Sequence, residues 1–295
     1  MHAWHPESLA SLARQLGVPF SDLSAPEERW VHSPDGLRLH ALDWGGDGPA
    51  VLLLHGGSLT ARTWDFVALG LRSEFRLIAL DIRGHGDSGW ADDYVIEDAV
   101  ADARAVLDAL ELPRVHLVGM SLGGLIGAEL AFAAPERIRT LTLIDISPGN
   151  MFEASLRIRD FLVDFRGADS IDDAVEQVLR VSPRADRARV QYRMQVQLRQ
   201  GEDGRWHWRH DPRRPADHAM IVRRVQALGA SAPRFEAPFL LVRGARSKML
   251  DEQAAATFAA CFPDGRWLNV SDAGHNVQED NPAELIAVLR RFWSE

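Results

Sequence analysis

Four short apolar runs, Val51 to Leu54, Leu77 to Leu80, Val115 to Val118 and Leu141 to Ile146, alternate with stretches of helical periodicity. This alternation restricts the fold more than any other feature of the chain. Runs of this kind read as strands buried on both faces, as in a parallel sheet covered by helices. Between them Trp64, Val67, Ala68 and Leu71 share one helical face, as do Val95, Ala99, Ala103, Val106, Leu107 and Leu110. Strand–helix alternation implies a mostly parallel sheet with right-handed crossovers.

Ahead of this pattern, residues 1–28 read as an amphipathic helix with Leu9, Leu12, Ala13 and Leu16 on one face, followed by a polar connector. Arg29 to Ser33 and Leu37 to Trp44 flank Pro34-Asp35-Gly36, whose aspartate and glycine suit a tight turn between two strands. The alternation breaks after Pro148-Gly149. From about 150 to 228 no convincing strand is expected, and Ser170-Ile171-Asp172-Asp173 opens a helix whose apolar face runs through Ala174, Val175, Val178 and Leu179. Sheet signals resume at Phe239 to Val242 and Arg266 to Val270. A last helix begins at Asn281-Pro282-Ala283-Glu284, where cap, first-turn proline and third-position glutamate agree. The expected organisation is therefore an N-terminal helical extension over 1–28, a core from 29–149 and 229–295, and a helical cap from 150–228.

A chain of 295 residues can bury roughly 75% of the surface its unfolded form exposes. Its 46% apolar and 25% charged residues are ordinary for a globular protein, and its net charge of −9 argues against a nucleic-acid partner. The single Cys261 excludes an internal disulfide and a cysteine-rich zinc site. No apolar run approaches the roughly 18 residues needed to cross a bilayer, and the first residues lack the pattern of a secretory signal. A cytoplasmic protein without a membrane partner is expected, as a monomer or homodimer.

Chemistry enters at Gly119-Met120-Ser121-Leu122-Gly123, which follows the third of the apolar runs and leads into a glycine- and alanine-rich helical stretch. A serine hydroxyl is a poor nucleophile near neutral pH unless a histidine can take its proton. A sharp strand-to-helix turn lifts the hydroxyl clear of the backbone, and the flanking glycines give the turn room. The same turn aims the first N–H groups of the helix, which lack intrahelical partners, at the place where an oxyanion would form.

With these pieces in order, the chain resembles the α/β-hydrolase superfamily over roughly residues 29–295. Four signatures carry the resemblance: Leu54-His55-Gly56-Gly57, Gly84-His85-Gly86-Asp87-Ser88, the segment around Ser121, and Ala273-Gly274-His275. The resemblance implies an eight-stranded, mostly parallel sheet with helices on both faces and a helical cap inserted after the sixth strand. It implies Ser121 as nucleophile, His275 as general base, and the backbone N–H groups of Leu122 and Gly57 as oxyanion donors, with Ser58 the neighbour of the less certain Gly57.

The sequence departs from the superfamily at the catalytic acid. An aspartate is usual shortly after the seventh strand, and here Lys248 stands at that place in Val242-Arg243-Gly244-Ala245-Arg246-Ser247-Lys248. An ammonium cannot accept a hydrogen bond from an imidazole N–H. Asp145, at the end of the sixth strand, is the candidate, because strand ends of such a sheet open onto one carboxyl edge. Some lipases and dehalogenases of the superfamily resemble this arrangement. The simpler reading of Asp145 is a loop hydrogen bond. Asp251 is the rival acid, and its own simpler reading is the cap of a helix through Ala254, Ala255 and Phe258.

His55 and His85 sit in loop motifs and are expected to hydrogen-bond backbone. His207, His210 and His218 lack a compact ligand spacing, so no metal is expected. Arg157, Arg159, Arg166, Arg193, Arg205 and Arg209 in the insertion read either as solvated faces or as contacts to an anionic substrate group. Trp206 and Trp208, with Trp64 and Trp90, read either as the wall of an apolar pocket or as core.

The expected activity is hydrolysis of a small ester or lactone through an acyl-enzyme, with a small-molecule substrate and no dissociable cofactor. Two alternatives stay open: a carbon–carbon bond hydrolase of ring-cleavage products, against which Met120 weighs, and a slow or non-catalytic small-molecule receptor on the same fold.

Overall fold

A computed structural model describes residues 5–146, 148, 165–183, 185–213 and 218–295. Eight strands form one sheet: β1 (Glu27–His32), β2 (Arg38–Asp43), β3 (Ala50–Leu54), β4 (Arg76–Asp81), β5 (Val115–Met120), β6 (Ile138–Ile144), β9 (Phe239–Gly244) and β10 (Gly265–Val270). Their spatial order is β1-β2-β4-β3-β5-β6-β9-β10. Only β1–β2 and β2–β4 pair antiparallel; the remaining five neighbours run parallel. The fold class expected from the alternation is the one observed.

Strand periodicity divides the sheet's side chains between two cores. Leu52, Leu54, Ile78, Leu80, Leu117, Leu141 and Leu143 face one, while Val51, Leu53, Leu77, Ala79, Val118 and Ile144 face the other. On the first face lie α3 (Ile96–Ala109), α4 (Leu122–Ala133), α7 (His218–Ser231) and α8 (Glu252–Ala259). On the second lie α1 (Pro6–Gln15), α2 (Asp65–Leu71), the short α9 (Val277–Asp280) and α10 (Pro282–Ser294). Asn281 caps α10 by accepting the N–H of Glu284, as its sequence implies. Leu9, Leu12 and Ala13 of α1 are buried against the second core.

Beyond β6 the chain leaves the sheet and builds a third, smaller core. It is formed by α5 (Ile171–Val181), α6 (Arg187–Gln197) and a hairpin of β7 (Leu198–Gln200) and β8 (Trp206–Trp208). Ala174, Val175, Val178, Val190, Met194 and Leu198 fill it. The hairpin corrects the expectation that this region lacks strands. Each strand has three residues, too short for an alternation signal, and the turn around Gly204, at φ 75°, makes the reversal.

A buried polar cluster fastens this unit to the body. Tyr192 of α6 donates to Asp65 at 2.5 Å, and Asp65 also meets Arg62 at 3.2 Å. Nearby, Gln197 of α6 donates to Glu279, which also receives the Thr63 hydroxyl at 2.6 Å. Burial pushes the Asp65 carboxyl up to about 6 against the pull of Arg62 and of the Tyr192 hydrogen bond, and burial likewise raises Glu279.

The folded chain thus holds the Asp65 proton until about pH 6, whereas an unfolded chain releases it near pH 3.8. Asp65 therefore favours folding below that lower pH, and the contribution is lost as pH rises through the folded value. In urea unfolding, the stability of the wild type minus that of Asp65→Asn should fall by up to about 3 kcal/mol between pH 4 and 7. A difference independent of pH would contradict the protonation assigned to Asp65.

Candidate active site

The register of three adjacent parallel strands brings the first two candidate residues together. Met120, Ile144 and Val242 form one row across β5, β6 and β9, and Ser121 and Asp145 each lie one residue beyond it. Ser121 keeps its N–H in the ladder, bonded to the Ile144 carbonyl at 3.2 Å, and then turns at φ 50° into α4. Asp145 does the same, with its N–H on the Val242 carbonyl at 2.8 Å and φ 51°. A non-glycine residue in the left-handed region costs roughly 1–3 kcal/mol, and such strain gathers at functional sites. The Ser121 turn closes only because Gly123 has no side chain. A Cβ there would stand 2.4 Å from the Leu54 carbonyl oxygen, and its N–H bonds the His55 carbonyl at 3.1 Å.

The third residue arrives from β10. His275 Nδ1 lies 2.7 Å from Asp145 Oδ2, and the histidine side chain keeps 17% of its surface exposed while the aspartate keeps none. A carboxylate only accepts, so Nδ1 carries a proton and the neutral ring offers its lone pair on Nε2. The backbone before His275 is pressed against β9: a Cβ on Gly244 would fall 2.0 Å from the Gly274 carbonyl oxygen. The Gly274 N–H is held by Asp280 at 2.8 Å. Ser121 Oγ makes no hydrogen bond among the described residues. Such bonds often form only when substrate is present.

Asp145 also receives the Ser247 hydroxyl on Oδ2 and the Gly244 N–H on Oδ1 at 3.3 Å. Gly244 is the last residue of β9, and Ser247 belongs to the segment after it where the usual acid would stand. Lys248 itself is exposed, so Asp145 reaches sideways from β6 and its carboxylate ends beside the neighbouring Ser247. Asp251, the rival acid, accepts the Ala254 N–H at 2.7 Å as the N-cap of α8, the simpler of its two readings. Among the described residues, neither the Leu122 nor the Gly57 N–H has a hydrogen-bond partner. The Ser58 N–H is taken by His85 Nε2 at 3.1 Å.

A model of the alpha/beta hydrolase fold matches residues 49–282. The chain belongs to this family. It is 32% identical to the esterase Rv0045c of Mycobacterium tuberculosis over 96% of its own length and 93% of that protein. It is 30% identical to a 3-hydroxybutyrate-oligomer hydrolase of Cupriavidus necator, covering 89% and 95% of the two chains. The crystal structure of Rv0045c superposes with a TM-score of 0.78 at 30% identity, over 97% of this chain and 96% of that one. The protein is an α/β-hydrolase.

The remaining candidates of this hydrolase find mostly structural places. His55 and His85 bond backbone groups. His207 pairs with Asp203 at 2.9 Å, and the His210 ring stands 6.2 Å from those of both Trp208 and His85. The His218 side chain, Arg157 and Arg159 lie outside the described residues. Arg205 pairs with Asp169, Arg209 with Asp87 at 2.8 Å, and Arg193 faces Glu279 at 3.9 Å. Trp64 is fully buried in the second core, Trp206 and Trp208 border the small core beyond β6, and Trp90 is half-exposed under Arg199 and Arg213. Potential ligand atoms of His40, Asp81 and Asp87 converge within 4.8 Å. The Asp81 carboxylate is already taken by His40 and by the Ala61 and Asp87 N–H groups.

Ser247 was not legible in the sequence. Its only signal is a hydroxyl beside the vacated acid position. Ser247→Ala should destabilise the hydrolase by about 1–3 kcal/mol, because a buried carboxylate loses a donor and the Met249 N–H loses its acceptor. Urea denaturation reads this directly, and a change within error would show that the hydrogen bond contributes nothing.

Proposed function

We propose that this hydrolase cleaves a small carboxylic ester or lactone through an acyl-enzyme, with Ser121, His275 and Asp145 as its triad. The reading is carried by the 2.7 Å hydrogen bond from His275 to a fully buried Asp145 that sits next to Ser121 across the β5–β6 register. His275 Nε2 takes the Ser121 proton as Oγ attacks the ester carbonyl. The tetrahedral oxyanion is met by the N–H groups of Leu122 and Gly57, and the imidazolium gives its proton to the departing alcohol. Water then enters by the same route in reverse: His275 removes its proton, the hydroxide attacks the acyl carbon, and Ser121 leaves reprotonated as the acid is released. Asp145 keeps the ring in the Nδ1–H tautomer throughout and stabilises its positive charge.

One relative is named an esterase and another a 3-hydroxybutyrate-oligomer hydrolase, and hydroxy acids oligomerise through ester links, which supports an ester over a carbon–carbon bond. Serine and histidine supply the nucleophile and the proton transfers, so the reaction calls for no dissociable cofactor.

Release of p-nitrophenol from short acyl esters tests the assignment. Ser121→Ala should abolish it, and Asp145→Asn should lower kcat by on the order of 10⁴-fold, as the loss of the orienting carboxylate does elsewhere. Asp251→Asn should leave kcat unchanged. Near-normal turnover in Asp145→Asn, or a large loss in Asp251→Asn, would overturn the choice of acid.

A further inference from the structure

Two loops beside the elbow are joined by a reciprocal exchange of histidine rings. The His55 ring, in the loop after β3, donates from Nδ1 to the Gly56 carbonyl at 2.7 Å and accepts on Nε2 the Ile82 N–H at 3.0 Å. The His85 ring, in the loop after β4, donates from Nδ1 to the Arg83 carbonyl at 3.1 Å and accepts on Nε2 the Ser58 N–H at 3.1 Å. A carbonyl oxygen cannot donate, so each ring carries its proton on Nδ1 and offers the Nε2 lone pair to the opposite loop. The rings meet edge to face at 5.0 Å, and both residues are almost wholly buried. Each loop thus gives one N–H to a ring of the other.

The loop carrying His85 is itself held on both sides of the histidine by the chain that leaves β8. Gly86 donates its N–H to the Arg209 carbonyl at 2.7 Å, Asp211 donates its N–H to the Gly84 carbonyl at 2.8 Å, and the Arg209 guanidinium pairs with Asp87. His85 therefore has a fixed backbone from which to hold the Ser58 amide. Ser58 needs such holding, because its φ of 63° is a strained setting for a residue with a side chain.

We propose that His85 is the positioning residue of the oxyanion loop: by accepting the Ser58 N–H it fixes the turn at Gly57–Ser58 and leaves the Gly57 N–H as that loop's donor to the reacting carbonyl. The proposal rests on the ester-hydrolase reading above, since it assigns an oxyanion to that place. His85 acts through the peptide of residues 57 and 58, by way of the Ser58 N–H.

The test compares His85→Phe, which fills the space without an acceptor, with His85→Gln, whose side-chain carbonyl can accept the Ser58 N–H. Loss of a whole oxyanion donor costs 10²–10³-fold in kcat in other enzymes, so a misplaced one should cost about 10- to 100-fold in His85→Phe. KM should stay within about threefold. The affinity for an alkyl trifluoromethyl ketone, which Ser121 converts into an oxyanionic adduct, should fall in step with kcat/KM. His85→Gln should recover most of both. A folded His85→Phe with unchanged kcat, or equal losses in both variants, would overturn the proposal.

A second measurement needs no variant. Ring 15N shifts of the wild type should show His85 protonated on Nδ1 with Nε2 as acceptor, and an Nε2–H tautomer would overturn the proposal even if neither variant folds. Failure of the underlying reading would look different: Ser121→Ala would retain ester hydrolysis whatever His85 does.

Discussion

Everything at the site follows from the parallel register of β5, β6 and β9. Met120, Ile144 and Val242 stand in one row, and the next residue of the first two strands is the candidate nucleophile and the candidate acid. Parallel strands with helical crossovers all finish at the same edge, so residues far apart in sequence are neighbours there without any long-range loop having to find them. A slip of one residue in β6 would turn the Asp145 side chain to the opposite face and separate it from His275. The apolar residues of β6 oppose that slip, because Leu143 and Ile144 would exchange cores. The geometry of the candidate site is thereby guarded by hydrophobic burial of the strand that carries it.

The same argument explains why the acid can sit on either of two strands. A carboxylate after β9 or one after β6 can approach the same imidazole, provided the other strand end leaves room and offers donors. Here the β9 exit supplies the Ser247 hydroxyl and the Gly244 N–H to the Asp145 carboxylate. A buried anion without such partners would be expensive, and with them it is a fixed orienting group. The exposed Lys248 is then a consequence of the exchange: once the carboxylate comes from β6, residue 248 has no partner to supply and can face water.

Much of this was legible in the sequence because it depends on local rules. Strand runs, the Ser170 and Asn281 caps, the Asp35-Gly36 turn and the motif around Ser121 each follow from neighbouring residues, and the structure places them where those rules lead. What escaped was set by contacts across the fold. Ser247 meets the site through a carboxylate 102 positions away. The three-residue strands β7 and β8 exist because Trp206 and Trp208 have a core to border, which no local pattern announces. Asp65 and Tyr192, separated by 127 positions, form a buried pair that neither surrounding segment implies. The tryptophans illustrate the converse: an apolar aromatic can line a cavity or fill a core, and only packing separates the two roles.

Exposure, more than hydrogen-bond geometry, then separates the histidine that can do chemistry from those that cannot. His40 and Asp81 form a pair at 2.7 Å through Nδ1, the same length and the same ring atom as His275 and Asp145. Judged by that distance alone the two pairs are indistinguishable. His40, however, retains 1% of its side-chain surface and its Nε2 is buried with no hydrogen-bond partner among the described residues, whereas His275 retains 17%. A base must receive a proton from one molecule and return it to another, and a ring sealed under Trp30 has no such exchange. His55 and His85 are sealed in a different sense, since both of their nitrogens are committed to backbone groups. Of these four rings, only that of His275 combines an orienting carboxylate on one nitrogen with a reachable second nitrogen that has no partner among the described residues, and that combination is what a general base for a serine hydroxyl requires.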